Sequence, residues 1–171
     1  MGVSDIEFVS ERFTVRHWQT SGKDDEAFID VVLGLLTPAV RQTLPDHWQS
    51  SFDRERASDW LAETGDNLLV VADSASGVPV AFLLLYESDE VAGRTVYRIG
   101  YLVAESAWGK GVATEMLGGL IEHCRTAAPL TLLAGVEANN TASRRVLEKC
   151  GFADASEDAD VQRLYTLIID G

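Results

Sequence analysis

The sequence predicts an α/β (α+β) fold: one mixed, mostly antiparallel, twisted sheet of about seven strands, with a central βαβ unit and helices on both faces. Three observations carry that expectation. Patterned segments follow one another in the order β-α-α-β-β-β-α-β-α-β-β. The strands Thr95 to Val103 and Leu130 to Val136 are separated by one helical crossover, which makes them parallel and right-handed. Most other neighbouring strands pair antiparallel. A chain of 171 residues suits one core, so residues 1–171 read as a single domain.

Each element has its own local warrant. Phe13 to Trp18 alternates and reads as a strand. Asp24 to Leu36 places Phe28, Val31, Val32, Leu35 and Leu36 at helical spacing, with Asp24 or Asp25 as cap. Thr37-Pro38 weakens or ends that helix. Thr43 to Ser51 reads as irregular. A second helix, about Phe52 to Glu63, buries Ala57, Trp60 and Leu61, and Thr64-Gly65-Asp66 stops it. Leu68 to Ala72 and Val80 to Tyr86 flank the turn-rich Asp73-Ser74-Ala75-Ser76-Gly77 and form a hairpin. Gly111 to Arg125 is the clearest helix, with Val112, Ala113, Met116, Leu117, Leu120, Ile121 and Cys124 in one apolar stripe. Leu130 to Val136 is nearly all apolar, as expected of a strand covered on both faces. A short helix, Asn140 to Lys149, ends at Gly151, where a positive φ is usually wanted. Phe152 starts another strand, Asp154 to Asp160 is an acidic loop, and Val161 to Ile169 is the last strand.

Composition narrows the function classes. No apolar run approaches the ~20 residues that span a bilayer. The N-terminus, Met1 to Glu7, is acidic and lacks a basic-then-apolar signal pattern, so a cytoplasmic location is expected. The formal net charge of -13 repels nucleic acid and anionic membranes, and neither is expected as a partner. Such a charge attracts cationic partners or simply aids solubility. The cysteines Cys124 and Cys150 fall at apolar helical positions, and the histidines His17, His47 and His123 are scattered. No metal site is expected.

Two segments carry chemistry. The first is Trp108-Gly109-Lys110-Gly111-Val112-Ala113-Thr114, between a strand and the clearest helix. A glycine-rich turn of this kind points several backbone N–H groups into one concavity, and the helix N-terminus adds positive partial charge. Together they suit phosphate. Glycine leaves room for close approach, and Lys110 could add a point charge. By itself the turn is also compatible with a purely structural role. The spacing is neither a Walker loop nor a dinucleotide fingerprint.

The second segment runs from Asn139 through Phe152. Asn139 or Asn140 caps a helix, and Ser143 lies one turn in, on the same side as the cap. From Ala138 to Gly151, Arg144, Arg145 and Lys149 stand against Glu148, a local excess of +2 in an acidic chain. Such a patch suits a polyanion or makes a solvated basic face.

With both segments in view, the sequence resembles the GNAT superfamily of N-acetyltransferases, and within it the branch containing the ribosomal-protein N-terminal acetyltransferases. The resemblance covers nearly the whole chain. It is strongest from Arg98 to Phe152: Ile99-Gly100-Tyr101-Leu102-Val103, then Trp108 to Glu115, then Asn140-x-x-Ser143 through Gly151-Phe152. It implies that strand Thr95 to Val103 splays from strand Leu130 to Val136. The pantetheine arm of acetyl-CoA would lie in that slot, pairing near Leu102 and Val103. The amides of Gly109, Lys110, Gly111, Val112, Ala113 and Thr114 would hold the pyrophosphate. Asn140 would face the pantetheine, Ser143 would approach the thioester sulfur, and Arg144 would belong to the basic patch. Two departures stand out. Trp108 occupies a position that often carries Gln or Arg. Leu147 occupies the position at which many members carry a tyrosine general acid, which leaves Ser143 or solvent as the partner of the leaving thiolate.

The implied chemistry is direct acyl transfer to a primary amine, either a peptide or protein N-terminus or a small cationic amine. A strand N–H near Leu102 or Val103 would polarise the carbonyl. A base must take a proton from the amine. Glu87, Glu105 and Glu137 lie near strand ends and are the candidates. The loop with Asp154, Glu157, Asp158 and Asp160 could attract the cationic acceptor, and the region Thr37 to Glu63 would form another wall. The alternative is a non-catalytic acyl-CoA-binding or regulatory module of the same fold; a ligand-free interaction domain is a further one. The oligomeric state, a homodimer included, stays open.

Overall fold

The computed structural model describes residues 1–157 and 162–170. Its strands are β1 (Glu7–Val9), β2 (Phe13–His17), β3 (Leu68–Asp73), β4 (Pro79–Val91), β5 (Arg94–Val103), β6 (Leu130–Glu137), β7 (Ala153–Asp154) and β8 (Gln162–Ile169). They form one sheet of 8 strands in the order β1-β2-β3-β4-β5-β6-β8-β7. Only β5 and β6 run parallel, and the other pairs are antiparallel. The expected βαβ unit is therefore present, and the strand absent from the sequence expectation is the short edge strand β1.

The helices are α1 (Asp25–Leu35), α2 (Pro38–Arg41), α3 (Asp46–Gln49), α4 (Arg54–Thr64), α5 (Val112–Arg125) and α6 (Thr141–Lys149). Their starts follow local capping. Asp24 accepts from the Ala27 amide, Asp53 from Arg56 and Asn140 from Ser143. Pro38 does not merely stop α1. It sits in the first turn of α2, capped by Thr37, where its missing N–H has no helical partner to lose. The stretch Thr43 to Ser51, expected to be irregular, contains α3, which buries Trp48.

The sheet divides the core in two. On one face α5 and α6 pack Met116, Leu117, Leu120 and Leu147 against Leu83, Tyr97, Leu132 and Tyr165. On the other, α1 to α4 pack Phe28, Val32, Trp48, Trp60 and Leu61 against Leu68, Val70, Phe82 and Leu102. Helices thus cover both faces, but unequally. In β6, Leu130, Leu132, Ala134 and Val136 are buried, Thr131 and Leu133 are half-buried, and Gly135 and Glu137 are exposed. The expectation that β6 is covered on both faces is therefore corrected. Among the described residues none of β6 belongs to the core that α1 to α4 build, and its apolar run reflects a strand buried chiefly on one side. The β4–β5 hairpin also runs further than its apolar pattern suggested. It closes through Ala92 (φ 53) and Gly93 (φ 75), a two-residue turn with both φ positive, as a type I′ hairpin requires.

Candidate active site

The parallel ladder between β5 and β6 runs from Thr95↔Leu130 to Ile99↔Ala134 and stops, although β5 continues to Val103 and β6 to Glu137. Past Ile99 the two strands diverge and leave a slot. The antiparallel ladder with β4 decides which β5 groups face it. The Ala104 amide donates to Val80, so alternate residues Leu102 and Gly100 also direct their backbone groups to β4. The N–H and C=O groups of Tyr101 and Val103 point to the slot instead. Of the two expected backbone partners, Val103 is the one that faces it.

The strand leads directly into the glycine loop. Gly109 (φ 70) and Gly111 (φ 74) are both left-handed, and Gly111 is the N-cap of α5. That conformation is cheap only for glycine, and it turns successive amides toward one side. The amides of Gly109 through Thr114 have no acceptor among the described residues. Six adjacent unpaired N–H groups at a helix N-terminus are a donor array of the kind that suits a phosphate-type anion.

The side chains around the loop brace it. The Trp108 indole N–H donates to the Val103 carbonyl at 2.8 Å, and the Lys110 ammonium donates to Ser106 O at 2.8 Å. Lys110 is thus tied back to the chain, with its positive charge held beside the loop. A third brace escaped the sequence reading. Arg12, between β1 and β2, donates to Glu115 Oε2 at 2.6 Å and to the Lys110 carbonyl at 3.0 Å. Glu115 Oε1 also accepts from the Arg12 amide and the Ser10 hydroxyl, both at 2.7 Å. These hydrogen bonds outweigh the opposing effect of burial and hold the Glu115 carboxyl below its ordinary pKa.

On the far side of the slot, Asn140 spends its Oδ1 on the Ser143 amide at 3.1 Å, which leaves its NH₂ as the group available to a ligand. The Ser143 hydroxyl lies 2.8 Å from the Tyr101 hydroxyl. Burial pushes the Tyr101 phenol above its ordinary pKa, against the opposing hydrogen bond with Ser143. Leu147 is fully buried, so no proton donor stands at its position. Arg144 is engaged elsewhere: its guanidinium donates to Tyr165 Oη and the Ala138 carbonyl, both at 3.3 Å. Arg145 and Lys149 are exposed.

The three carboxylate candidates separate cleanly. Glu87 pairs with Tyr97, and six residues of strand, about 20 Å, divide that register from Val103. It is not brought to the slot. Glu105 follows the end of β5 and accepts from the Thr37 hydroxyl at 2.9 Å, which joins the α1–α2 connection to the loop. Glu137 ends β6 at the open mouth, exposed, on the sheet face that α1 to α4 share. In the acidic loop, Asp154 accepts from the Ser156 hydroxyl and amide and is paired with Arg163 at 2.5 Å, which together lower its pKa to about 2. That pair engages one acid of the loop, and Glu157 is exposed. Asp158 and Asp160 lie outside the described residues.

The family description "Acetyltransferase (GNAT) domain" matches residues 12–153, and the chain belongs to that acetyltransferase family. No curated protein matches the sequence. Solved structures do. An acetyltransferase of the GNAT family from Bacillus anthracis superposes with a TM-score of 0.76 at 15% identity, covering 95% of this chain and 98% of that one. RimL, the ribosomal L7/L12 α-N-protein acetyltransferase in complex with coenzyme A, gives 0.71 at 20% identity, with 95% and 97% covered. YncA from Salmonella typhimurium, with its cofactor acetyl-CoA, gives 0.65 at 20% identity, with 94% and 95% covered. These likenesses establish the fold. Among the described residues no helix is long and apolar enough to cross a membrane, and no cluster of His, Cys, Asp or Glu could hold a metal ion.

Proposed function

We propose that this chain is an N-acetyltransferase that passes the acetyl group of acetyl-CoA directly to a primary amine in a ternary complex. The observation that carries the reading is the continuity of the slot past Ile99 and Ala134 with the six unpaired amides from Gly109 to Thr114. The slot fits an extended pantetheine arm, and the amides fit a pyrophosphate at its end. The bound thioester supplies the acetyl group. The Val103 N–H donates to the carbonyl oxygen as negative charge develops there. Asn140 offers its NH₂ to the arm, and Ser143 stands by the sulfur. Glu137 takes the amine proton, directly or through water, because it is the candidate on the open face of the slot mouth that no hydrogen bond engages among the described residues.

The acceptor is a peptide or protein N-terminus or a small cationic amine. The solved relative that acts on a ribosomal-protein N-terminus supports the first. The overall charge of -13 supports a cation of either kind. Calorimetry with acetyl-CoA, followed by a panel of amines with thiol detection, tests the reading. Binding together with amine-dependent thiol release is expected. Binding without turnover would favour the non-catalytic module, the reading that the buried Leu147 keeps in view, and absence of binding would remove both.

A further inference from the structure

The tyrosine that many GNAT members carry on this last helix is replaced by Leu147, yet a tyrosine hydroxyl still reaches the slot. It comes from β5. Tyr101 is the second residue beyond the last rung of the β5–β6 ladder, and its side chain turns to the face covered by α5 and α6. There its hydroxyl spans the gap to Ser143, 2.8 Å away in the first turn of α6. The Asn140 cap fixes the Ser143 backbone at 3.1 Å. Tyr101 is half-buried and Ser143 intermediate, so both are held without being sealed off.

Resting on the acetyltransferase reading, we propose that Tyr101 is a positioning residue that aims the Ser143 hydroxyl at the sulfur of the departing coenzyme A. Either hydroxyl can donate in the bond between them. When negative charge builds on a sulfur in the slot, one arrangement is selected. Tyr101 O–H donates to Ser143 Oγ, and the Ser143 O–H is left to donate to sulfur. Donation into Oγ also polarises the serine hydroxyl and strengthens its own bond. The raised phenol pKa keeps Tyr101 a neutral donor at physiological pH.

The balance is simple. The amine nitrogen forms the new C–N bond, and the C–S bond breaks with its electron pair on sulfur. The amine proton goes to the base and then to water. The sulfur leaves as a thiolate held by Ser143 and takes a proton from water. Neither Ser143 nor Tyr101 loses its proton. The pair therefore replaces a general acid with an oriented hydrogen bond.

The test separates sulfur-specific stabilisation from general packing. Binding of coenzyme A and of desulfo-coenzyme A is measured by calorimetry from pH 7 to 10 on the wild-type, Y101F and S143A proteins. In the wild type, affinity for coenzyme A should rise relative to the desulfo compound as the thiol ionises, by about tenfold, the size of one hydrogen bond to a charged group. Both variants should lose that rise while binding the desulfo compound unchanged. Turnover should fall about tenfold or more in each, and the double variant should be no slower than S143A. Acetyl thioesters of a more acidic thiol should restore Y101F, because a better leaving group needs less help. A Y101F protein that keeps both the pH-dependent preference and wild-type turnover overturns the proposal, as does a loss of affinity equal for both ligands. Failure of the wild type to bind either ligand overturns the acetyltransferase reading itself, and this inference with it.

Discussion

Replacing Gly111 by alanine should damage ligand binding far more than it damages the fold, and Gly77 provides the matched control. The two glycines have almost the same left-handed φ, 74 at Gly111 and 72 at Gly77. A Cβ at Gly77 meets nothing within 4 Å, and one at Gly111 meets Arg12 Nη2 at 3.6 Å, an ordinary contact. Neither substitution causes a clash within the protein. Each forces a side chain into the left-handed region at about 1–2 kcal/mol, offset by about 0.4–1 kcal/mol from a less flexible unfolded chain. The net loss is about 1 kcal/mol, which for a domain of this size lowers Tm by about 2–4 °C in both variants. Acetyl-CoA separates them. At about a hundred times Kd it stabilises the wild type and Gly77→Ala by about 2.7 kcal/mol. In Gly111→Ala the strained residue is itself one of the six amides, and its new methyl group lies 3.6 Å from the Arg12 guanidinium that braces the loop, so the array is disturbed where the ligand would bind. A tenfold weaker affinity would cut that stabilisation to about 1.4 kcal/mol at the same concentration. Thermal unfolding with and without acetyl-CoA reads both quantities. An equal ligand-induced shift in the two variants would refute the assignment of the pyrophosphate to this loop.

Arg12→Ala releases the brace on Lys110 and Glu115, so steady-state kinetics should show a higher KM for acetyl-CoA, severalfold, with kcat nearly unchanged. Glu137→Gln should lower turnover at neutral pH about tenfold or more, whereas Glu87→Gln, whose register lies far from the slot, should leave it intact, as steady-state kinetics with a saturating amine will read. Stability should fall at alkaline pH. Burial pushes the Cys124 thiol up to about 11 from an ordinary 9, so the folded state holds a proton that the unfolded chain releases. Its contribution is complete below pH 9 and is lost as pH rises toward 11, on the order of 2 kcal/mol. Denaturant melts at pH 8 and 10.5 should show the loss, and Cys124→Ala should reduce the difference between them.

What the sequence determined was local. The caps Asp24, Asp53 and Asn140 are legible because a side-chain oxygen serves an amide only a few residues away. The glycine loop is legible for the same reason: two left-handed residues and a helix start are properties of adjacent positions. The crossover between β5 and β6, and hence their parallel pairing, follows from the order of segments. The tertiary structure decided which distant groups meet. Arg12 and Glu115 stand 103 positions apart in the chain, and Tyr101 and Ser143 stand 42 apart. No periodicity encodes such pairs, since they depend on sheet order and on the angle at which α5 and α6 lie against it. Register made the same choice among the carboxylates. Glu87, Glu105 and Glu137 looked alike as strand-end residues, and the pairing of Glu87 with Tyr97 took it away from the slot, while the end of the β6 ladder left Glu137 at its mouth. Long-range pairing is fixed only when non-local strands close on one another, and that closure is what turned an anion loop into one end of a candidate acyl-transfer site.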